Sequence, residues 1–273
     1  MPVKYGLSME DYLATDAASS TVIRKLLSHS PAHAKVLMDD KGVESQAFKD
    51  GKLIHTLVLE PHLLNEKYFI AQKDGIDYKT KEGKLFKQEA EEAGLIPVKR
   101  EVYMEFSALA EAIMSHANAK LMPQLGKPEA SLFWTDADTG VNCKSRPDWL
   151  WEDQGILFDL KTTEDARDKG FQASIASYGY HLQAAMALDG YQAVFGKPAE
   201  AYIWVVVEKK APYGVNTFRC TPELARHGRK ASLDGYKKGL VIYNECKKTG
   251  IWNGYSEEIK DMLPPYWMTK KEG

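Results

Sequence analysis

Two short apolar runs with the composition of β-strands constrain the fold of this chain more than any other feature. Residues 201–208, Ala-Tyr-Ile-Trp-Val-Val-Val-Glu, form the longer run, and residues 156–160, Ile-Leu-Phe-Asp-Leu, form the shorter one. Both are rich in the β-branched, aromatic and aliphatic side chains that buried strands prefer. Residues 173–195 lie between them and are predicted to be helical, with Gly179 as a point of interruption. Strands that alternate with helices predict a mixed α/β core.

Further strands are predicted on both sides of these runs. Residues 131–135 and the start of a strand over 141–151 flank the turn Asp-Ala-Asp-Thr-Gly, which is typical of a hairpin. The strand over 141–151 is expected to pair antiparallel with 156–160 through a short turn. Residues 213–220 are expected to pair beside the longer apolar run. A last helix is expected after Thr221, whose side chain can cap it ahead of a proline.

The first half of the chain is predicted to be mostly helical. Helices are expected over residues 21–27, from Pro31, and over 46–59, 79–93 and 100–117. The expected fold class is therefore α/β (α+β), a mixed central sheet flanked by helices with an N-terminal helical layer. Because no repeat or low-complexity linker divides the chain, we expect one domain over residues 1–273, with 1–125 mostly helical and 126–273 carrying the sheet and the C-terminal helix.

Composition excludes several classes of protein. The net charge of −2 argues against a protein that coats nucleic acid without discrimination, because such proteins are normally basic. Cys143, Cys220 and Cys246 are far apart in sequence, so they form no zinc or iron–sulfur pattern and are expected to be small buried residues. Neither an apolar run of about eighteen residues nor the apolar core of a signal peptide is present, so we expect no membrane segment and a cytoplasmic protein.

A pair of carboxylates beside a lysine marks the candidate active site. Side chains alternate faces along a strand, so Asp159 and Lys161 share one face while Leu160 points into the core. Asp148 lies on the preceding strand, and antiparallel pairing of the two strands would bring both carboxylates to one end of the sheet. Two converging carboxylates repel each other unless a hard cation such as Mg²⁺ lies between them. A cation with a neighbouring lysine can hydrolyse a phosphodiester bond.

The spacing of an acid and a lysine alone has little specificity. The same pattern begins at seven other acids, which are Asp39, Asp50, Asp77, Glu82, Glu208, Glu245 and Glu258. Asp159 differs because an apolar strand precedes it and because Pro147-Asp148 stands on the strand before. A glycosidase that uses Asp148 and Asp159 as acid and base is an alternative, which metal-independent activity would support. The adjacent lysine suits a metal-dependent reaction better.

The combination of these strands resembles the PD-(D/E)xK nuclease signature. Arg-Pro-Asp-Trp-Leu at 146–150 is followed by Phe-Asp-Leu-Lys-Thr-Thr at 158–163. More narrowly, the chain resembles the exodeoxyribonuclease VIII (RecE-type) exonucleases of phages and prophages. This resemblance implies that the chain has their restriction-endonuclease-like core. The stretches that carry this narrower resemblance include residues 30–33, 51–61, 133–136, 177–185, 207–209, 252–255 and 264–267.

The resemblance implies a role for each residue of the site. The implied metal ligands, for Mg²⁺ with Mn²⁺ as a substitute, are His55, Asp148, Asp159 and the Leu160 carbonyl. Lys161 would be the catalytic lysine, and Gln183 would contact the DNA end or the phosphate in the active site. Related nucleases often carry a tyrosine four residues after this glutamine. Here that position is Ala187, so Tyr180 or Tyr191 would have to substitute.

The resemblance also implies a substrate and partners. It predicts an exonuclease that degrades linear double-stranded DNA in the 5′→3′ direction and leaves 3′ single-stranded tails for recombination. It further implies a homo-oligomeric ring, a trimer or tetramer, and a single-strand annealing protein as a partner in the bacterial host cytoplasm. A 5′-phosphate needs an anion site, and the helix start at Ser19 and Ser20, with Arg24 one turn later, offers one.

Two alternatives within DNA metabolism stay open at this point. One is a different PD-(D/E)xK nuclease, of the nicking, repair or CRISPR-adaptation type, which a 5′ preference on linear duplex would exclude. The other is a DNA-binding protein with a vestigial site. The presence of competent side chains at His55, Asp148, Asp159 and Lys161 argues against the second.

Overall fold

The computed structural model describes residues 3–39, 46–124, 126–230, 232 and 234–264. The final stretch of the expected domain, 265–273, and with it most of the stretch at 264–267, lies outside the described residues. Within the part described, no helix is both long enough and apolar enough to cross a bilayer.

The helices follow one another in two groups, before and after the strands of the central sheet. They are α1 Met9–Ala14, α2 Ser20–Ser28, α3 Pro31–Asp39, α4 Gln46–Leu59, α5 Leu64–Lys67, α6 Lys81–Glu92, α7 Arg100–Ser115, α8 Asp168–Tyr178, α9 Tyr180–Phe195, α10 Pro222–Arg229 and α11 Tyr236–Thr249, with 3-10 turns at Pro61–Leu63 and Ala119–Gln124.

The strands form a central sheet and two smaller ones. They are β1 Ala18–Ser19, β2 Tyr68–Ile70, β3 Ile96–Val98, β4 Lys127–Pro128, β5 Leu132–Thr135, β6 Asn142–Ser145, β7 Trp149–Trp151, β8 Ile156–Thr163, β9 Ala201–Glu208 and β10 Val215–Arg219. The central sheet has the order β10-β9-β8-β7-β4, and the smaller sheets have the orders β1-β6-β5 and β2-β3.

The central sheet is mixed, which confirms the predicted fold class. β8 and β9 are parallel, and the remaining neighbours in this sheet are antiparallel. A parallel pair needs a crossover connection, and α8 and α9 supply it. The two apolar runs of the sequence are therefore adjacent central strands, buried on both faces.

Helices cover both faces of this sheet and divide the core in two. On one face Leu157, Trp204 and Val206 pack with α9. On the other face Phe158 and Leu160 pack with α4 and α7. The alternation places Leu160 in the core, as predicted, and leaves Asp159 and Lys161 on the side of α9.

The prediction of one continuous strand over residues 141–151 is wrong. β6 ends at Ser145, and the chain passes through Arg146 and Pro147 before β7 begins at Trp149. Pro147 has no backbone N–H to donate to a ladder, which favours the end of pairing at this point. The hairpin of β5 and β6 consequently belongs to a separate sheet, where β6 also pairs in parallel with β1.

Most helix predictions agree with the structure within two residues. The predicted interruption at Gly179 is present, because Gly179 adopts the left-handed conformation, with φ 65° and ψ 33°, and separates α8 from α9; α8, however, begins at Asp168 rather than at residue 173. The expectation that the helix after Thr221 is the last one is wrong, because α11 follows it. Gly239 lies inside α11, where a glycine lowers helix propensity, but it permits close packing on Ile23 of α2.

A glycine at a helix crossing provides a test of this packing. Gly228 of α10 lies against α9, and a Cβ at this position would overlap the His181 carbonyl oxygen and stand 2.9 Å from Ala185 Cβ. Because a backbone oxygen cannot rotate away, we expect Gly228→Ala to lower the free energy of unfolding by about 1–3 kcal/mol. Chemical denaturation would measure this change.

The control for this variant is Gly51→Ala. Gly51 is also helical, but no atom lies within 4 Å of an added Cβ. Alanine has the higher helix propensity by about 1 kcal/mol, so the Gly51→Ala protein should be at least as stable as the parent. Equal stabilisation by both substitutions would contradict the close approach of α10 to α9.

Candidate active site

The register of β7 and β8 brings the two predicted carboxylates together. Trp149 pairs with Phe158, so the next position along each strand places Asp148 opposite Asp159 at the end of the ladder. Asp148 Oδ2 accepts a hydrogen bond of 2.6 Å from the backbone N–H of Leu160. In a strand the N–H and C=O of one residue point to the same side, so the Leu160 carbonyl also faces this edge.

His55 reaches the same carboxylate from α4. Its Nδ1 atom lies 3.6 Å from Asp148 Oδ1, and both side chains keep some exposure to solvent. Gly51, one turn earlier on α4, has open space in place of a side chain. A histidine more than ninety residues away in sequence therefore lies beside the pair of carboxylates.

Lys161 and Gln183 both contact Asp159, whose side chain is only 1% exposed. The Lys161 ammonium lies 2.5 Å from Asp159 Oδ2, and its own side chain is 18% exposed. Gln183 Nε2 donates a 2.7 Å hydrogen bond to Asp159 Oδ1. Gln183 lies on α9, one turn after the break at Gly179. The structure therefore brings together the predicted residues of the metal and catalytic sets.

The pKa values of Asp148 and Lys161 are both raised, but for different reasons. Burial, assisted by the charge of Asp159, raises the pKa of Asp148 to about 6, against the opposing effect of His55 and Lys161. Burial also acts to lower the pKa of Lys161, but the charges of Asp159 and Asp148 outweigh it and raise this pKa. Lys161 is consequently an ammonium in this arrangement, paired with the carboxylates.

Asp159 lies beside Tyr202 and Trp204, two buried aromatic residues of β9. Its Oδ2 atom meets the Lys161 ammonium at 2.5 Å, which balances the charge of the buried carboxylate. Burial, followed by the charges of Asp159 and Asp148, raises the pKa of Tyr202 far above its usual range. A buried carboxylate needs such a cationic partner, and a bound metal ion could take the place of the ammonium.

The donors present fit a divalent cation, provided that the ion pairs rearrange. An imidazole, two carboxylates and a backbone carbonyl are ligands that Mg²⁺ and Mn²⁺ accept. Among the residues that the structure describes, however, no three His, Cys, Asp or Glu side chains stand ready to hold a metal ion. Asp159 is occupied by Lys161 and Gln183, and Asp148 by His55 and the Leu160 N–H. Coordination would therefore require Lys161 to withdraw from Asp159.

A cleft of about 1310 Å³ leads to this site. His55, Asp148 and Gln183 line it, together with the N-terminal segment of residues 5–22. Charges of both signs share its walls, and they are Lys52, Lys67, Lys127, Lys144, Arg146, Asp16, Glu60, Glu129 and Asp148. The walls of the cleft are therefore not uniformly basic.

Two buried cations, Lys144 and Arg146, bind backbone carbonyls in the N-terminal wall of this cleft. Neither was predicted from the sequence. Lys144 Nζ donates to the carbonyls of Tyr12 at 2.8 Å, Leu13 at 3.0 Å and Thr15 at 2.8 Å. The Arg146 guanidinium donates to the Leu7 carbonyl at 2.9 Å and lies 4.3 Å from the centre of the Tyr12 ring. The signal in the sequence was a lysine within the alternating strand Val-Asn-Cys-Lys-Ser.

The predicted phosphate anchor is divided between two places. Ser19 and Ser20 line the cleft, and Ser19 Oγ accepts from the N–H of Val22 at 3.4 Å as an ordinary helix cap. Arg24 instead donates to the Tyr178 carbonyl at 2.9 Å, and it is not among the described residues that line the cleft.

The structure also distinguishes Tyr180 from Tyr191, the two tyrosines considered as substitutes for the one that position 187 lacks. Tyr180 has its ring centre 4.9 Å from Lys161 Nζ. Tyr191 is fully buried and donates its hydroxyl to the Glu152 carbonyl, so it supports the turn after β7. Ala187 is itself buried in the core. Of the two tyrosines, Tyr180 is the one beside the site. The three cysteines are free and buried, as predicted.

Comparison with known proteins agrees with this geometry. A family model described as a PDDEXK-like domain of unknown function (DUF3799) matches residues 19–262. The fold is similar to a crystal structure from Eubacterium rectale described as a "Putative exonuclease", with a TM-score of 0.61 and 12% sequence identity over 98% of this chain and 100% of that one. At this identity the likeness shows the fold alone. No curated protein matches the sequence significantly.

Proposed function

The chain belongs to the PDDEXK-like family DUF3799, and from this we propose that it is a metal-dependent 5′→3′ exonuclease of double-stranded DNA. Its products would be duplexes with 3′ single-stranded tails for recombination. The observation that carries the proposal is the convergence of Asp148, Asp159, Lys161 and His55 at one edge of the sheet, at the end of a large cleft. The structure of similar fold from Eubacterium rectale, described as a "Putative exonuclease", supports the choice of exonuclease.

Each residue of the site has a distinct task in this reaction. His55, Asp148, Asp159 and the Leu160 carbonyl would hold Mg²⁺, with Mn²⁺ as a substitute. The cation, when bound, would supply a Lewis acid that polarises the phosphoryl oxygen and lowers the pKa of a water molecule. Gln183, freed from Asp159, can donate its amide to a phosphate oxygen.

Lys161 is placed to orient the attacking water and to accept its proton. In the ion-paired arrangement the two carboxylate charges raise its pKa, and burial opposes them. Once those charges are balanced by another cation, burial would lower the pKa of Lys161, which is the direction that a base requires. The same side chain, which is 18% exposed, can then return the proton to solvent.

The N-terminus of α2 suits the terminal phosphate. Ser19 and Ser20 lie in the cleft with the free N–H groups and the positive dipole end of a nine-residue helix. We assign the 5′-phosphate to this point without Arg24, whose guanidinium is directed to the Tyr178 carbonyl. The ring of three or four subunits, the annealing partner and the location in the bacterial cytoplasm rest on the resemblance to RecE-type exonucleases alone.

A digest of linear duplex DNA tests the function directly. The duplex would carry a label at the 5′ or the 3′ end, and reactions would contain Mg²⁺ or EDTA. We expect release of the 5′ label only with Mg²⁺, and faster release from 5′-phosphorylated than from 5′-hydroxyl ends. Persistence of the 3′-labelled strand would establish polarity.

Other results of this digest would replace the proposal. Cutting of covalently closed circular duplex would indicate an endonuclease or nicking enzyme of the same superfamily. Binding of DNA without any cleavage in Mg²⁺ or Mn²⁺ would indicate a protein with a vestigial site.

The pKa of Asp148 predicts how metal binding depends on pH. An acid whose pKa is raised to about 6 in the folded protein carries a proton below that pH, and the cation must displace it. The affinity for Mn²⁺ should therefore fall about tenfold for each pH unit below this value and level off above it. Calorimetric titrations on either side of the pKa would measure this.

A variant that keeps Asp148 but removes the imidazole, His55→Gln, serves as the comparison. Its affinity should be lower at every pH, and the decline should begin at a higher pH, because His55 is one of the groups that lower the pKa of Asp148. An affinity that does not change across this range would contradict the assignment of Asp148 as a ligand.

A further inference from the structure

An aromatic ladder leads from the core to the surface beside the active site. Phe218 and Phe171 are stacked with ring centres 4.9 Å apart and planes at 14°. Phe171 contacts Tyr180 at 6.0 Å, and Tyr180 stacks on Tyr178 at 5.5 Å with planes at 28°. Phe171 is 1% exposed, whereas Tyr178 is 54% exposed. The ladder thus ends in an aromatic ring that is presented to solvent on a rigid support.

The ring on which Tyr178 stacks contacts the proposed catalytic lysine. Tyr180 has its ring centre 4.9 Å from Lys161 Nζ. Neither Tyr178 nor Tyr180 is among the described residues that line the cleft, although Gln183, on the next turn of α9, is. Tyr180 therefore connects the exposed ring of Tyr178 to the active site from outside the cleft.

Arg24 fixes the backbone of the ladder and adds a positive charge. Its guanidinium donates to the Tyr178 carbonyl at 2.9 Å, which uses one of five N–H groups. Its side chain also packs on Gly179, where an added Cβ would lie 2.9 Å from Arg24 Cδ. Because Gly179 needs a positive φ and the space beside Arg24, the two tyrosines are held in one orientation. An aromatic face beside a guanidinium is suited to a base and a phosphate of one nucleotide.

We propose that Tyr178, stacked on Tyr180 and held by Arg24, binds an unpaired nucleobase of the DNA strand next to the phosphate that is cut. The proposal rests on the nuclease function proposed above and names how that site holds its substrate. The base must be unpaired because the faces of bases within a duplex are covered by their neighbours. Stacking on an aromatic side chain is tolerant of sequence, so no base preference is expected.

Steady-state digestion of linear duplex by side-chain variants tests whether the stacked pair of Tyr178 and Tyr180, called the platform below, binds a base. Tyr178→Ala should raise KM about tenfold to a hundredfold with a smaller effect on kcat. Tyr178→Phe keeps the ring and should recover most of the lost affinity. Tyr255→Ala removes a tyrosine that is 67% exposed and packs on His33 away from the site, and it should behave as the parent protein. Thermal unfolding of each variant would check the fold.

A substrate with an abasic nucleotide separates stacking from a structural effect. If Tyr178 binds the base, removal of the base should raise KM for the parent protein to the value of Tyr178→Ala, and the variant should show no further change. A 2-aminopurine base at the same place, in EDTA, should be quenched by the parent protein and by Tyr178→Phe but not by Tyr178→Ala.

The outcomes distinguish this proposal from the function on which it rests. If the parent protein does not cut DNA with Mg²⁺ or Mn²⁺, the nuclease function fails. If it cuts DNA but Tyr178→Ala has the KM of the parent and quenches 2-aminopurine equally, the platform is refuted and the nuclease function stands. An equal loss by Tyr178→Ala on intact and abasic substrates would also refute base stacking.

Discussion

Replacing Lys161 with alanine should lower the rate of DNA cleavage by about 10²- to 10⁴-fold, because the reaction loses the group that orients and deprotonates the attacking water. Lys161 Nζ lies 2.5 Å from Asp159 Oδ2, at the centre of the proposed metal site. Single-turnover digestion of end-labelled duplex would measure the chemical step apart from DNA binding. Undiminished digestion by this variant would refute the assignment of Lys161.

The same substitution should also change stability, in a way that depends on metal. Without the ammonium, Asp159 is left as a buried carboxylate with no cationic partner, which costs about 3 kcal/mol. A divalent cation can replace the missing charge. We therefore expect Lys161→Ala to unfold at a lower temperature than the parent protein in EDTA, and Mg²⁺ or Mn²⁺ to recover much of the difference.

Lys210 offers a matched control for Lys161. It follows Glu208 with the same acid-x-lysine spacing at the end of the adjacent strand β9, but it is exposed and lies beyond the ladder. Lys210→Ala should cleave DNA and unfold as the parent protein does. Equal losses in Lys161→Ala and Lys210→Ala would indicate a general charge effect rather than a catalytic role.

Asp159→Asn should weaken Mn²⁺ binding by more than about 100-fold and remove cleavage with it, since the amide lacks the charge that a hard cation requires. The substitution conserves shape, so Gln183 and Lys161 keep a neighbour of the same size. Because the carboxylate charge is what raises the pKa of Lys161, we also expect this pKa to fall in the variant. Calorimetry with Mn²⁺ gives the affinity, and the labelled digest gives the activity.

Glu164→Gln is the control for this prediction. Glu164 comes directly after β8 and pairs with Lys209 at 3.1 Å, but it is exposed and outside the site. Its removal should leave Mn²⁺ affinity and cleavage unchanged. Retention of Mn²⁺ affinity by Asp159→Asn would place the metal elsewhere.

The parts of the fold that depend on local composition could be predicted from the sequence. The runs that became β8 and β9 are apolar along their length, and the hairpin of β5 and β6 has a turn between alternating strands. The error at 141–151 arose because one strand pattern continues through Pro147 while the chain changes sheets. The sheet to which a segment belongs depends on distant partners, which a local pattern does not report.

The candidate site shows the same division. That Asp159 and Lys161 share a face follows from the alternation of side chains along one strand, and Asp148 follows from a short antiparallel connection. His55 and Gln183 were placed by resemblance, since a histidine within Leu-Ile-His-Thr-Leu is more typical of a packed core and a glutamine on a helix is typical of its surface. The hydrogen bonds from Lys144 Nζ to carbonyls at the end of α1 were not predicted, because these acceptors lie more than 120 residues away in sequence.

Which side chains can share a strand face follows from local sequence, because that geometry is set within two or three residues of backbone. The packing of distant elements brings His55 on α4 to Asp148 and Gln183 on α9 to Asp159, and it places Tyr180 rather than Tyr191 beside Lys161. These approaches result from burying the apolar faces of whole helices against a sheet. The free energy that selects them is spread over the entire core and is not encoded in the few residues that meet.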